Sequence, residues 1–107
     1  MKIIAVTSCA TGIAHTYMAA EAIKKICKEK NFDCKVETQG ALGVENELSM
    51  GDIQQADLII FGNDVKIKNV DRFKGFESKI KSIKPHDIVK NAKIIFEEGE
   101  NYESNKG

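Results

Sequence analysis

Apolar residues fall at two spacings along this chain, and the change from one to the other marks out its elements. Ile3, Ile4, Ala5 and Val6 form a short unbroken run between Lys2 and Thr7. That is the pattern of a strand buried on both faces, and it predicts a first strand over about 2–7. From about 15 to 29 the repeat lengthens. Ala19, Ala20, Ile23, Ile26 and Cys27 recur at helical spacing, with Lys24, Lys25, Lys28 and Glu29 on the wet side. Asn31 closes that helix. Phe32 to Thr38 alternates apolar and polar residues, which predicts an edge strand with one solvated face, and Gln39 to Gly43 follows as a loop. Ser49 and Asp52 stand at the spacing of a capping box, Asp replacing the usual Glu, and open a short helix over about 50–56. Leu58-Ile59-Ile60-Phe61 reads as a buried central strand, ended by the turn Gly62-Asn63-Asp64. Val70 to Phe73 forms a short helix and Ser78 to Ile83 a fourth strand. Pro85 suits a first helical position. A last helix is expected through Asp87 to Glu98, with Ile88, Val89, Ala92, Ile95 and Phe96 on one face and Gly99 as its stop.

Strands alternating with helices require right-handed crossovers and a parallel sheet covered on both faces. The expected fold is α/β: a three-layer sandwich around a four-stranded parallel sheet of order 2-1-3-4, of the flavodoxin/Rossmann-like kind. One domain is expected over 1–99, followed by a frayed polar tail over 100–107. In such sheets ligands bind beyond the carboxyl ends of the strands, where the strand order reverses. The first strand runs into Ser8-Cys9, the second into Thr38-Gln39-Gly40 and the third into Gly62-Asn63-Asp64. The three ends are expected to meet at one site with Cys9 at its centre.

Composition narrows the function. At 107 residues the chain has room for a single core, and 42% hydrophobic with 30% charged residues is the balance of a globular protein. Sixteen basic and sixteen acidic residues cancel, which argues against nucleic acid or a polybasic membrane surface as partner. No apolar run approaches the ~20 residues of a membrane-spanning helix. Lys2 is followed by only four apolar residues before Thr7, which is not a signal-peptide layout, so a cytoplasmic location is expected. Cys9, Cys27 and Cys34 form no C-x-x-C pair, and with only two histidines a metal cluster is not expected; nor is a cofactor. Cys27 on the apolar helix face and Cys34 within a strand read as packing residues.

Cys9 is different, because it lies among small residues between a strand and a helix N-terminus. Free backbone N–H groups and the helix dipole favour negative charge there, first a thiolate and then a phosphoryl group carried on the sulfur. Three readings compete. One is an inert buried cysteine. Another is a phosphatase-like loop, Cys-x5-Arg-Ser/Thr, in which the Arg clamps phosphate bidentately. Here His15 holds the place of that Arg, with Thr16 after it. Histidine offers at most two donors and is only partly charged at neutral pH, so such a loop can hold a phosphoryl group yet drives its hydrolysis poorly. That favours a carrier over a hydrolase. The third, a nucleotide-binding P-loop, lacks its second Gly and its Lys. A thiol reductase lacks a resolving Cys near Cys9 in sequence, leaving only Cys34 to approach through space.

Cys9-Ala10-Thr11-Gly12-Ile13-Ala14-His15-Thr16 resembles the C-P-T-G-I-A-H-T loop of the fructose-type enzyme IIB proteins of the bacterial sugar phosphotransferase system. The similarity continues through Tyr17-Met18-Ala19-Ala20-Glu21-Ala22, Val36-Glu37-Thr38-Gln39-Gly40 and Gly43-Val44-Glu45-Asn46-Glu47-Leu48, and more weakly through Ala56-Asp57 to Asp64 and Asp71-Arg72-Phe73. The resemblance implies a relay. A phosphohistidine on enzyme IIA donates to Cys9, and the membrane component enzyme IIC passes the group to an entering sugar, fructose by family likeness. It also implies a cytoplasmic chain that associates with the membrane through IIC rather than inserting, and a monomer when isolated.

The resemblance makes Cys9 the phosphoryl acceptor and Ala10, Thr11, Gly12, Ile13, Ala14, His15 and Thr16 the phosphate-binding loop. Several of these have plainer readings. Gly12 equally serves a turn, and Thr16 an ordinary helix cap. His15 is either a donor to phosphocysteine or bonded to a nearby carbonyl. Gln39 either contacts the loop from the second strand or is a turn residue. Asp64 is either an acid of the phosphatase kind or a turn cap. Ala10 stands where the family has Pro; it restores a backbone donor and loosens the unligated loop.

Overall fold

The computed structural model describes residues 1–8, 13–40, 43–63 and 66–96. Cys9, Ala10, Thr11, Gly12, Asp64, Gly99 and the tail therefore lie outside the described residues. The chain runs β1 (Lys2–Ser8), α1 (Ile13–Glu29), β2 (Asp33–Gly40), β3 (Gly43–Glu45), α2 (Met50–Gln55), β4 (Leu58–Asn63), β5 (Ile80–Ser82) and α3 (Pro85–Lys90). Short 3-10 turns occupy Val70–Phe73, Glu77–Lys79 and Ala92–Phe96.

β1 is the spine. It pairs in parallel with β2 on one side and β4 on the other, and Ile3, Ile4, Ala5 and Val6 are all fully buried. Successive side chains point to opposite faces. Ile3 and Ala5 join Ala19, Ala20, Ile23, Ile26 and Cys27 of α1 and Ile88 of α3. Ile4 and Val6 join Ile53 of α2, Ile59 and Phe73 on the other face. Each fully buried Ile or Val contributes roughly 1.5–3 kcal/mol, so an unbroken apolar run is what a two-faced central strand requires.

Three expectations need correction. The four parallel strands are present in the expected relative order, but the sheet has five strands, β3-β2-β1-β4-β5, because Gly43–Glu45 folds back antiparallel onto Thr38–Gly40. β2 is thereby covered at its carboxyl end, and its supposed wet face is not wet there: Glu37 is fully buried. The last helix also breaks early. Asn91 leaves helical geometry and its side-chain oxygen takes the N–H of Lys93, the local competition that makes Asn a poor helix interior. A 3-10 turn continues the apolar face instead, with Ile95 buried.

Two local readings hold in detail. Ser49 Oγ accepts from the Asp52 N–H at 3.1 Å while the Asp52 carboxylate accepts from the Ser49 N–H at 2.9 Å, a reciprocal capping box. Asn31 adopts a left-handed φ of 60° and closes α1 as a Schellman turn, with Phe32 N donating to Cys27 O at 2.9 Å and Asn31 N to Lys28 O at 3.1 Å.

Asp52 also takes Lys35 Nζ at 2.9 Å and Lys2 Nζ at 3.2 Å, fastening α2 to β1 and β2. The bond from the Ser49 N–H, then Lys35, outweigh burial and hold the carboxyl well below the usual carboxylate range. A depressed folded pKa stabilises above the unfolded value of ~3.9 and is lost as pH falls through the folded value. Asp52→Asn is expected to cost about 1–3 kcal/mol at pH 7. The gap from wild type, measured by urea denaturation at several pH values, should narrow only below about pH 4.

Candidate functional site

The carboxyl end of β1 is where the described parts of the loop site converge. Ser8 pairs with Gln39 of β2 on one side and Asn63 of β4 on the other, so the three strand ends meet as expected. Four residues, 9–12, join Ser8 to Ile13, the first residue of α1. α1 is 17 residues long and carries no acidic residue in its first turn, so nothing there offsets the positive end of its dipole. Thr7 Oγ1 donates to the carbonyl of Thr16 at 3.1 Å in the buried interior, binding the last turn of the strand to the first turn of the helix.

Thr16 is not the helix cap. α1 begins at Ile13, two residues earlier than periodicity alone predicts, so Thr16 lies within the first turn. It is fully buried, and its own hydroxyl has no hydrogen-bond partner among the described residues. An unsatisfied buried hydroxyl costs about 1–3 kcal/mol. For Ile13, Ala14 and His15 the structure gives the backbone, in the first helical turn.

Gln39 stands at the expected strand end, but its amide faces away from a turn role. Nε2 donates to Glu37 Oε2 at 2.7 Å and to Lys68 O at 3.1 Å, while Oε1 accepts from Lys68 N at 2.8 Å. It clamps the segment that follows β4 onto β2, beside Ser8.

Sequence reasoning missed the partner of this clamp. Glu37 is fully buried and forms a bidentate pair with Arg72, at 2.8 Å to Nη1 and 2.7 Å to Nη2. Its Oε1 also accepts from Leu48 N at 2.9 Å. Burial alone would push this carboxyl up. The bonds from Arg72, Gln39 and the Leu48 N–H outweigh it, leaving the group below its ordinary value. Arg72 further donates to Leu48 O at 3.3 Å and Asn69 O at 3.0 Å, and lies 5.0 Å over the Phe73 ring. The only available signal was the joint presence of V-E-T-Q-G and Asp71-Arg72-Phe73 in the resemblance.

Cys34 does not approach the site. It pairs with Ile3, whereas Gln39 pairs with Ser8. Five residues of strand, about 17 Å, separate the two ends. A resolving role for Cys34 toward a thiol next to Ser8 is thereby ruled out within one chain. Among the described residues no cluster of His, Cys, Asp and Glu is arranged to hold a metal, and no helix is long and apolar enough to cross a membrane.

A central strand flanked by two parallel neighbours and joined through four residues, Cys9 among them, to a long helix is the frame of a class of α/β proteins that bind ligands at their strand ends. The family model described as "PTS system, Lactose/Cellobiose specific IIB subunit" matches residues 4–98. Relatives narrow this further. "PTS system fructose-like EIIB component 2" of Escherichia coli (strain K12) is 49% identical over 94 residues, 88% of this chain and 87% of that one. "Fructose-like PTS system EIIBC component" of the same organism is 40% identical over 98 residues, which cover 92% of this chain and 20% of that one. The solution structure of an enzyme IIB subunit from E. coli K12 superposes with a TM-score of 0.81 at 36% identity, over 98% of this chain and 95% of that one. The chain belongs to the enzyme IIB family of the sugar phosphotransferase system, among its fructose-like members.

Three variants test the site's architecture. Arg72→Ala is expected to cost about 3–5 kcal/mol in chemical denaturation, because it strands a buried carboxylate. Arg72→Lys should recover little, since an ammonium cannot make the bidentate fork. Thr16→Val should behave oppositely and raise stability by about 1–2 kcal/mol, because a methyl replaces an unpaired hydroxyl of the same shape. A thermal or urea midpoint that fell in Thr16→Val would show that the hydroxyl is bonded in the unligated protein.

Proposed function

We propose that this chain is a phosphoryl carrier in which the Cys9 sulfur accepts the group from a phosphohistidine on enzyme IIA and passes it to a sugar, fructose, entering through enzyme IIC. In the first step the Cys9 thiolate attacks phosphorus; the S–P bond forms as the N–P bond breaks, and the imidazole leaves. In the second a sugar hydroxyl attacks phosphorus, and the thiolate leaves with the S–P electrons. The chain's own task is to make the thiolate available and to neutralise the phosphoryl oxygens at each transfer.

One observation carries the reading: the end of β1 at Ser8, between Gln39 and Asn63, is separated by four residues from the start of a long helix with no first-turn carboxylate. A sulfur on that segment is joined to α1's free N–H groups and dipole, which favour both thiolate and phosphate. Ala10, Thr11, Gly12, Ile13 and Ala14 contribute backbone N–H groups in this reading, His15 and the Thr11 hydroxyl further donors. The unpaired Thr16 hydroxyl supports it too, because a buried donor without a partner is what a site awaiting an anion would hold. Asp64 is assigned no acid role in this reading.

Partner and sugar rest on the relatives. A related protein named as an EIIBC component carries a matching segment in one chain with a IIC portion, which supports a IIC partner and membrane association through it. Relatives named fructose-like support fructose. Enzyme IIA as donor follows from the family's relay. Next to α1's first turn, Met18 is 49% exposed and lines an open, mainly apolar groove with Tyr17, Glu21, Lys24, Lys25 and Lys28, in which Lys24 pairs with Glu21 at 3.5 Å and Lys25 and Lys28 suit contact with acidic groups of a partner.

The phosphatase alternative lacks its clamp throughout the chain. Arg72 is the only arginine in the sequence, and it is committed to Glu37.

The test is intact mass after incubation with phosphoenolpyruvate, enzyme I, the carrier protein HPr and a fructose-type IIA. One phosphoryl group is expected on the wild-type chain, bound to sulfur, and none on Cys9→Ser. Thr16→Val should slow phosphorylation by about tenfold or more, the equivalent of one charge-assisted hydrogen bond of ~1.5 kcal/mol or more. No gain of mass with IIA demonstrably phosphorylated, together with steady hydrolysis of p-nitrophenyl phosphate, would overturn the carrier reading in favour of a phosphatase.

A further inference from the structure

The groove along the outer side of α1 has an apolar floor and a basic rim. Met18 and Ala22 of α1 and Val89 of α3 form the floor of its upper part, a recess of about 670 Å³ and thus within the roughly 300–1,000 Å³ of sites that bury a ligand. The groove continues past Ile26 and Ala92 toward the foot of the helix, sharing Ala22, Lys25 and Val89 with the upper part. Lys24, Lys25, Lys28, Lys90 and Lys93 stand along it against only Glu21 and Glu29. Glu21 pairs with Lys24 at 3.5 Å, while Lys25 and Lys28 have no ion pair among the described residues.

Phe96 sits at the foot of this groove. Its ring packs on Phe32, just past α1, with centroids 5.7 Å apart, and Lys30 Nζ lies 5.7 Å from the ring centre. The sequence that follows is Glu97-Glu98-Gly99-Glu100-Asn101-Tyr102-Glu103-Ser104-Asn105-Lys106-Gly107. It carries four carboxylates, one ammonium and one aromatic ring, the charge and the apolar group that the groove lacks. The length fits as well. From Glu29 up to Met18 the helix rises about 16 Å. Residues 97 to 102, extended, reach about 20 Å, so Tyr102 arrives at the recess beside Met18 while Glu98 and Glu100 pass the lysines below it.

We propose that residues 97–107 turn back along α1 and occupy this groove, with Tyr102 against Met18, Ala22 and Val89 and the glutamates on Lys24, Lys25 and Lys28. Ion pairs between exposed side chains are individually weak, and salt screens them. The tether at Phe96 compensates, because it presents the segment to the groove at an effective concentration in about the millimolar range. The same segment of a second copy has the same charges but lacks that advantage. A cover held in this way yields to a partner that presents more negative charge. That consequence rests on the carrier reading, which offers the same lysines to a partner; the docking itself does not.

Two measurements on the full chain test the docking. In the first, a carbodiimide converts touching carboxylate and ammonium groups to amides at low salt, and the digest is mapped. An equal mixture of isotope-labelled and unlabelled chains separates links within one chain from links between two. The expected links join Glu98, Glu100 or Glu103 to Lys24, Lys25 or Lys28 within one chain. They should fall severalfold at about 1 M salt, where the Debye length is about 3 Å. In the second, methionine methyl groups are labelled for NMR, and the Met18 methyl should show a nuclear Overhauser contact to the Tyr102 ring. That contact should disappear in the double variant Lys25→Glu, Lys28→Glu, whose two positions are exposed, so that the fold is not at stake. Links confined to Lys30 and Lys93 beside Phe96, links only between chains, no Tyr102–Met18 contact in the wild-type chain, or a contact that persists in the double variant would each overturn the proposal.

Discussion

The buried pair between Glu37 and Arg72 is the constraint around which the working end of this protein is arranged. An isolated carboxylate at zero exposure is intolerable, so Glu37 must be answered on every side. Arg72 supplies two bonds, Gln39 one and the Leu48 N–H a fourth. Each answer comes from a different part of the chain: β2 itself, the stretch leading into α2, and the turn after β4. Gln39 extends the network to both backbone groups of Lys68. The segments that surround the end of β1 are thus located by one charge rather than by a continuous apolar core. Such an arrangement adds little net stability over a hydrophobic replacement, but removing one partner is expensive. Its use here is to fix geometry next to Ser8.

The first turn of α1 shows the opposite economy. Thr7 and Thr16 are both fully buried, and Thr7 spends its hydroxyl on the Thr16 carbonyl, while the Thr16 hydroxyl has no partner among the described residues. A sequence shaped only for stability would carry valine at position 16. Glu37 is answered on every side, whereas the hydroxyls of Thr16 and Thr38, also buried, have no partner among the described residues.

Much of the fold was legible because burial on two faces writes itself directly into sequence. Ile3 to Val6 and Leu58 to Phe61 could be nothing else, and the Ser49/Asp52 spacing announced the start of α2. What failed depended on contacts distant in sequence. β3 is three residues long and has no periodicity to read. Alternation around Val36 implied a wet Glu37, and only the approach of Arg72, thirty-five positions later, makes burial tolerable. Asn91 interrupts a convincing apolar stripe through its own side chain. At the site, the meeting of Ser8, Gln39 and Asn63 was legible in where the three apolar runs end. The role of Gln39 was not, since an amide at a strand end looks the same whether it faces a ligand or the backbone of Lys68.

The fate of the single arginine bears on what kind of chemistry such a loop can perform. Hydrolysing a phosphocysteine asks for a planar cation that grips two phosphoryl oxygens while water attacks. A carrier asks for less: enough positive potential to stabilise thiolate and phosphate, and too little to make water an effective nucleophile between partners. Here the only guanidinium is fastened to Glu37, 13% exposed, with its donors spent on the fold. Among the described residues, the positive potential at the end of β1 comes from the N-terminus of α1, whose first turn holds no carboxylate. A helix dipole stabilises negative charge without adding a fixed cation to the transition state. In that light the constraint that organises the strand ends also commits the sequence's single arginine to the fold.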